Sequence, residues 1–183
     1  LLLHRGDCSF CTKLFPREVF AGHRFPEGEL NEDFRLLLEL LQEIAGIFIL
    51  PGQGYHVVCR RESTTRKRTK DSFSRVFLDI VDNADRIQEL VERKYPALYE
   101  YAIRFNLYQR LDYLLHVPVS QMRCDNAFYA GVVTYLRRHV RDTLCNPYLT
   151  KKNKGYLLLL TAAPRTVRKI HAQKMRLGVK KEA

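Results

Sequence analysis

From residue 73 onward, apolar side chains recur at helical spacing. Phe73, Val76, Phe77, Ile80, Val81, Ala84, Ile87 and Val91 fall on one face, which predicts a helix from about Asp71 that ends at Tyr95-Pro96. Leu98, Ala102, Phe105, Tyr108, Leu111 and Leu115 form a second stripe stopping near Pro118, and Phe128, Val132, Leu136 and Val140 a third between about Asp125 and Leu144. A last helix carries Tyr156-Leu157-Leu158-Leu159-Leu160 and is interrupted by Pro164. The first third reads differently. Short helical pieces are expected in residues 1–22, the second near Pro16–Phe20 with Gly22 as its C-cap. Asn31 is an N-cap for a helix to about Glu43, broken by Gly46. Ile47–Leu50 reads as a short buried strand, and Tyr55–Cys59, after the Gly52-Gln53-Gly54 turn, as a second. The polar run Arg60 to Lys70 reads as a loop.

These patterns divide the chain into a mixed segment, 1–70, and a helical one, 71–183. The expected class is α+β, mostly α. A length of 183 residues, with 46% hydrophobic and 28% charged, is that of a globular protein with a sizeable core. The chain opens on Leu1-Leu2-Leu3-His4-Arg5, too short and too soon charged for a signal peptide, and is expected to be the C-terminal part of a longer protein.

Charge adds a second asymmetry. The net charge is +11, with an isoelectric point near 9.6. From Asn146 onward there are ten Lys or Arg and one acid, Glu182, so this region holds +9 of the total. Such a tail suits anionic lipid headgroups, nucleic acid or plain solvation. The Tyr156–Leu160 run is far below the ~20 residues of a membrane span. With bases on either side it suits a membrane interface or a core helix with a solvated basic face. A nucleic-acid-binding or non-catalytic helical interaction module is the alternative to an enzyme, but no zinc finger, RNP-like strand or helix-turn-helix stands out. The five cysteines lack framework spacing, and Cys8-Ser9-Phe10-Cys11 has no second pair with which to hold zinc, so reduced thiols are the simpler reading.

The densest chemistry lies in Phe25-Pro26-Glu27-Gly28-Glu29-Leu30-Asn31-Glu32-Asp33-Phe34, where a turn, a cap and adjacent carboxylates fall within ten residues. On spacing alone, Glu32 and Asp33 are either a helix N-terminus or a place for base catalysis. Taken in order, Lys13-Leu14-Phe15-Pro16-Arg17-Glu18-Val19-Phe20, Arg24-Phe25-Pro26-Glu27-Gly28 and Asn31-Glu32-Asp33 resemble the second half of family-2 glycosyltransferases. Ile47–Leu50 and Tyr55-His56-Val57-Val58-Cys59-Arg60-Arg61-Glu62-Ser63-Thr64-Thr65 resemble that family's closing strand and following loop. The helical remainder, with Asn146-Pro147-Tyr148-Leu149 and Ala163-Pro164-Arg165, is similar to the C-terminal extension of bacterial members. The match is specific over residues 13–65 and looser beyond.

This resemblance implies the C-terminal part of a GT-A (Rossmann-like) domain followed by a helical extension. It implies an inverting transfer of sugar from a nucleotide-sugar donor to the hydroxyl of a glycan or lipid-linked acceptor, in cell-surface polysaccharide or glycan synthesis. Asp33 is the implied general base and Glu32 its companion. A carboxylate in a first helical turn gains roughly 0.3–1 kcal/mol from the helix N-terminus. Arg60, Arg61, Ser63 and Thr64 are placed at the leaving diphosphate, where the guanidinium fork binds phosphate oxygens. A solvated basic loop remains the plain alternative. Lys13 is a substrate contact or a surface lysine, and His56 a metal or phosphate contact or a packed strand residue. A divalent metal (Mg or Mn) is implied for the full-length enzyme, with its main ligands outside this chain. Asp79, Asp82 and Asp85, three apart, read as a solvated helix face instead. The implied setting is cytoplasmic, peripheral on the inner membrane face, with anionic lipid met by the basic tail and no nucleic acid partner.

Overall fold

A computed structural model of the chain describes residues 1–4, 8–52, 54–56, 58 and 73–179, with side chains to 174. Two compact units are present. One comprises Leu1 and the chain from Leu3 to Asp79, the other Leu2 and the chain from Ile80 onward.

In the first unit, 3₁₀ turns at Phe10–Thr12 and Arg17–Phe20 precede α1 (Glu32–Leu40). The leucine-rich run makes α1 amphipathic: Phe34, Leu36, Leu37 and Leu40 are buried. Full burial of such a side chain is worth about 1.5–3 kcal/mol. Asn31 holds the N-cap position but makes no side-chain cap bond. The entry to α1 is secured differently. The Leu30 N–H donates to Asp79 Oδ2 at 2.9 Å, and Arg75 Nε reaches Asp79 Oδ1 at 3.3 Å. Gly22 (φ +86°) and Gly28 (φ +75°) make the two left-handed turns that glycine favours. Phe10, Phe15, Phe20 and Phe25 form an aromatic cluster, with ring centroids 5.0–6.2 Å apart.

The expected α+β class, a Rossmann-like GT-A part, is corrected here. Among the described residues every regular element is a helix, and there is no strand. Ile47–Leu50 is irregular and open to solvent, with Phe48 93% and Ile49 92% exposed. Tyr55 and Val58 are exposed as well, and Val57 and Cys59 lie outside the described residues. The segment is apolar, but it is neither a strand nor buried. A strand exists only when a neighbour takes its backbone N–H and C=O groups, and an isolated pair is marginal in water.

The second unit is a helical assembly. It contains most of α2 (Val76–Lys94), then α3 (Tyr99–His116), α4 (Ala127–Arg138), α5 (Val140–Cys145), α6 (Lys151–Ala162) and α7 (Pro164–Val179). The hub is α3, which contacts α4, α5, α6 and α7. Its residues 102–107 are buried without interruption, so both of its faces are covered rather than the one stripe expected. The third expected helix is two, because the chain leaves helical geometry at His139 (φ −102°, ψ 30°). Real cap bonds begin α4 and α6: Asn126 Oδ1 accepts from the Tyr129 N–H at 3.2 Å, and Thr150 Oγ1 from the Asn153 N–H at 3.1 Å. Pro164 starts α7, where its missing N–H has no helical partner to lose. Arg168 then fastens α7 to the end of α3, donating to the carbonyls of Val117 (2.9 Å) and His116 (3.3 Å). No helix among the described residues is long and apolar enough to cross a membrane.

Candidate functional site

The Phe10–Thr12 turn gathers residues far apart in sequence. Its first backbone N–H, that of Phe10, donates to Asp33 Oδ2 at 3.1 Å. Lys13 folds back onto the same turn, its Nζ donating to Ser9 O at 2.7 Å and to Thr12 Oγ1 at 3.1 Å. The Tyr55 hydroxyl lies close to the Cys11 side chain, and this neighbour raises the Tyr55 pKa. Asp33 and Tyr55 thus come to one short turn beside the phenylalanine cluster, and Lys13, the next residue in the chain, folds back on it.

Asp33 and Glu32 are half-buried in the first turn of α1. Asp33 is held by Oδ2, and no other hydrogen bond to its carboxylate is seen among the described residues. His56 is exposed and belongs to no regular element. Arg60, Arg61, Ser63 and Thr64 lie outside the described residues.

The acidic series on α2 is corrected. Asp79 is buried and serves the loop before α1, Asp82 is exposed, and Asp85 is paired, so the three do not form one solvated face. Among the described residues no group of three or more His, Cys, Asp or Glu could hold a metal ion.

Sequence patterns missed two polar constellations. In the first unit, His23 sits between Glu43 (Nε2 to Oε1, 3.0 Å) and Glu39 (Nδ1 to Oε2, 3.6 Å). Its pKa is raised, chiefly by the Glu43 hydrogen bond, with burial opposing and the charges of both carboxylates assisting. In the second unit, buried Arg110 donates from one Nη to both Asp85 oxygens (2.8 and 2.9 Å) and from the other to Asn106 Oδ1. Its guanidinium carbon lies 3.8 Å from the centre of the Tyr135 ring. Asn106 Nδ2 donates to Asp85 and Gln88, and the Tyr135 hydroxyl reaches Gln88 Oε1 at 2.5 Å. Burial raises the Tyr135 pKa despite the opposing pull of Arg110. This network joins α2, α3 and α4. The one signal for it in the sequence was the polar set Arg104, Asn106, Gln109 and Arg110 in a helix that α6 and α7 also need to bury.

No protein-family model, curated protein or solved structure matches this chain.

Proposed function

We propose that the chain supplies the acceptor-side chemistry of a bacterial sugar transferase that uses a nucleotide-sugar donor and inverts the anomeric centre. The observation that carries the reading is the convergence on the Phe10–Thr12 turn. The segments whose order resembles family-2 glycosyltransferases, Lys13–Phe20, Arg24–Gly28 and Asn31–Asp33, are those joined by the phenylalanine cluster and by the Phe10–Asp33 bond.

In the reaction, the acceptor hydroxyl passes its proton to Asp33 Oδ1 as its oxygen forms a bond to the anomeric carbon. The bond from that carbon to the diphosphate oxygen breaks, and the electron pair leaves with the nucleoside diphosphate. Anchoring by the Phe10 N–H fixes the carboxylate so that Oδ1 faces the hydroxyl in one orientation. Glu32 helps to orient the acceptor, and Lys13 adds positive charge beside it. By the same resemblance, Arg60, Arg61, Ser63 and Thr64 would meet the diphosphate and His56 would lie beside it. The described residues do not fit a metal ion, and no step is assigned to one. On this reading any Mg or Mn is held by residues beyond them. The setting is the cytoplasmic side of the membrane, where the product joins a growing polysaccharide.

The test uses the complete gene product, labelled nucleotide-sugars and a panel of glycan and lipid-linked acceptors. Asp33→Asn is expected to lower transfer about 10²–10⁴-fold with donor affinity unchanged. Wild-type turnover in that variant would remove Asp33 as the base. No transfer by the wild type from any donor would remove the reading itself.

A further inference from the structure

We propose that the outer faces of α6 and α7 form a docking surface for an anionic lipid bilayer, on which the protein lies without spanning it. The inference does not depend on the sugar-transfer reading.

The four-leucine run of α6 serves two surfaces. Leu157 and Leu160 are completely buried, whereas Leu159 is 59% exposed. At a helical step of about 100° per residue, Lys151, Lys152, Gly155, Leu159 and Ala162 share an arc of about 100°, and all five are exposed. In α7, Arg165, Thr166, Lys169, Ile170, Gln173 and Lys174 occupy about half of the helix circumference by the same step. All six are exposed, Ile170 by 49%. The two helices pack on each other. Leu144, 54% exposed at the end of α5, lies beside α6, its carbonyl accepting from Lys154 Nζ at 2.7 Å.

Charge complementarity selects the occupant. No Asp or Glu occurs between Thr143 and Lys181, so nothing on this stretch repels phosphate headgroups. Lysine and arginine beside an interface extend their ammonium and guanidinium groups to the headgroups while their alkyl stems lie along the apolar zone. Leu159 and Ile170 among those cations provide the apolar contact that such a surface buries. Nucleic acid fits less well. Single strands bind by stacking on aromatic rings, but α7 contains no Phe, Tyr or Trp, and Tyr156, the one aromatic of α6, is half-buried. Phosphate contacts alone would leave the exposed Leu159 and Ile170 without a role.

The test is co-sedimentation of the full chain with phosphatidylcholine vesicles, with and without phosphatidylglycerol, over a salt series. Binding is expected only to the phosphatidylglycerol vesicles and to weaken with salt. At about fivefold per cation, the triple variant Arg165→Gln, Lys169→Gln, Lys174→Gln should bind about 100-fold more weakly. Leu159→Ser with Ile170→Ser should lose about tenfold. All five positions are exposed, so matched circular dichroism melts are expected, and the wild-type comparison of the two vesicle types needs no variant. Equal binding to neutral and anionic vesicles overturns the proposal. So does a Leu159→Ser, Ile170→Ser protein that binds vesicles like the wild type while an RNA oligonucleotide competes them away, which would assign the surface to nucleic acid.

Discussion

Phe48 and Leu107 are both large apolar side chains, yet Phe48 is 93% exposed and Leu107 is completely buried. The two units differ in the same way. From Ile80 onward each helix has neighbours, and even the polar residues of α3 have been drawn inside and bonded. In the first unit burial is concentrated on α1 and the start of α2, and the rest is held by turns, rings and single hydrogen bonds. Helices satisfy their own backbone and need neighbours only for a face. An extended segment such as Ile47–Leu50 needs neighbours for its backbone too.

That contrast can be broken most forcefully in the second unit. Asp85→Ala leaves the buried Arg110 guanidinium without its half-exposed carboxylate partner and should cost about 1.5–3 kcal/mol in urea unfolding. A loss below 1 kcal/mol would mean that Asn106 and Tyr135 alone can hold the charge, and that the second unit is less specified than its hydrogen bonds suggest.

A smaller effect is expected in the first unit. The raised His23 pKa means that the folded state binds a proton the unfolded chain has released. The stabilisation from protonated His23 is therefore fully present below the unfolded value near 6.5 and disappears as pH rises through the higher folded value. His23→Gln should flatten the melting temperature across that window and leave it unchanged well above it. An unaltered pH profile would show that Glu39 and Glu43 do not grip the ring in solution.

The smallest effect sharpens the comparison. Phe48→Ser should change stability by no more than about 0.5 kcal/mol, although the same substitution at a buried site would cost several times that. A large loss measured by urea unfolding would show that Ile47–Leu50 is covered in solution.

Much of the helical architecture was legible. The stripes at Phe73–Val91 and Leu98–Leu115 became α2 and α3, Tyr95-Pro96 and Pro164 marked real boundaries, and Gly22 and Gly28 stand at left-handed turns. Asp33 was legible as the first turn of a helix but not as a partner of Phe10, because a side chain reaching across 23 positions leaves no spacing to read. Asp79 was misread for the same reason: its burial depends on the Leu30 N–H, 49 residues away. Nothing local announced the break at His139 either, since the apolar spacing runs through it.

The sequence by itself determined where most of the helices form, because a helix closes its hydrogen bonds within a few residues and its apolar period is local. It also determined the basic, acid-free stretch that α6 and α7 carry. Tertiary structure alone decided that Ile47–Leu50 is not a strand, that Arg110 and Asp85 meet, and that Asp33 and Tyr55 come to a single turn. Each of these depends on groups distant in sequence satisfying one another's hydrogen bonds or charge, and only the folded chain brings such groups within reach.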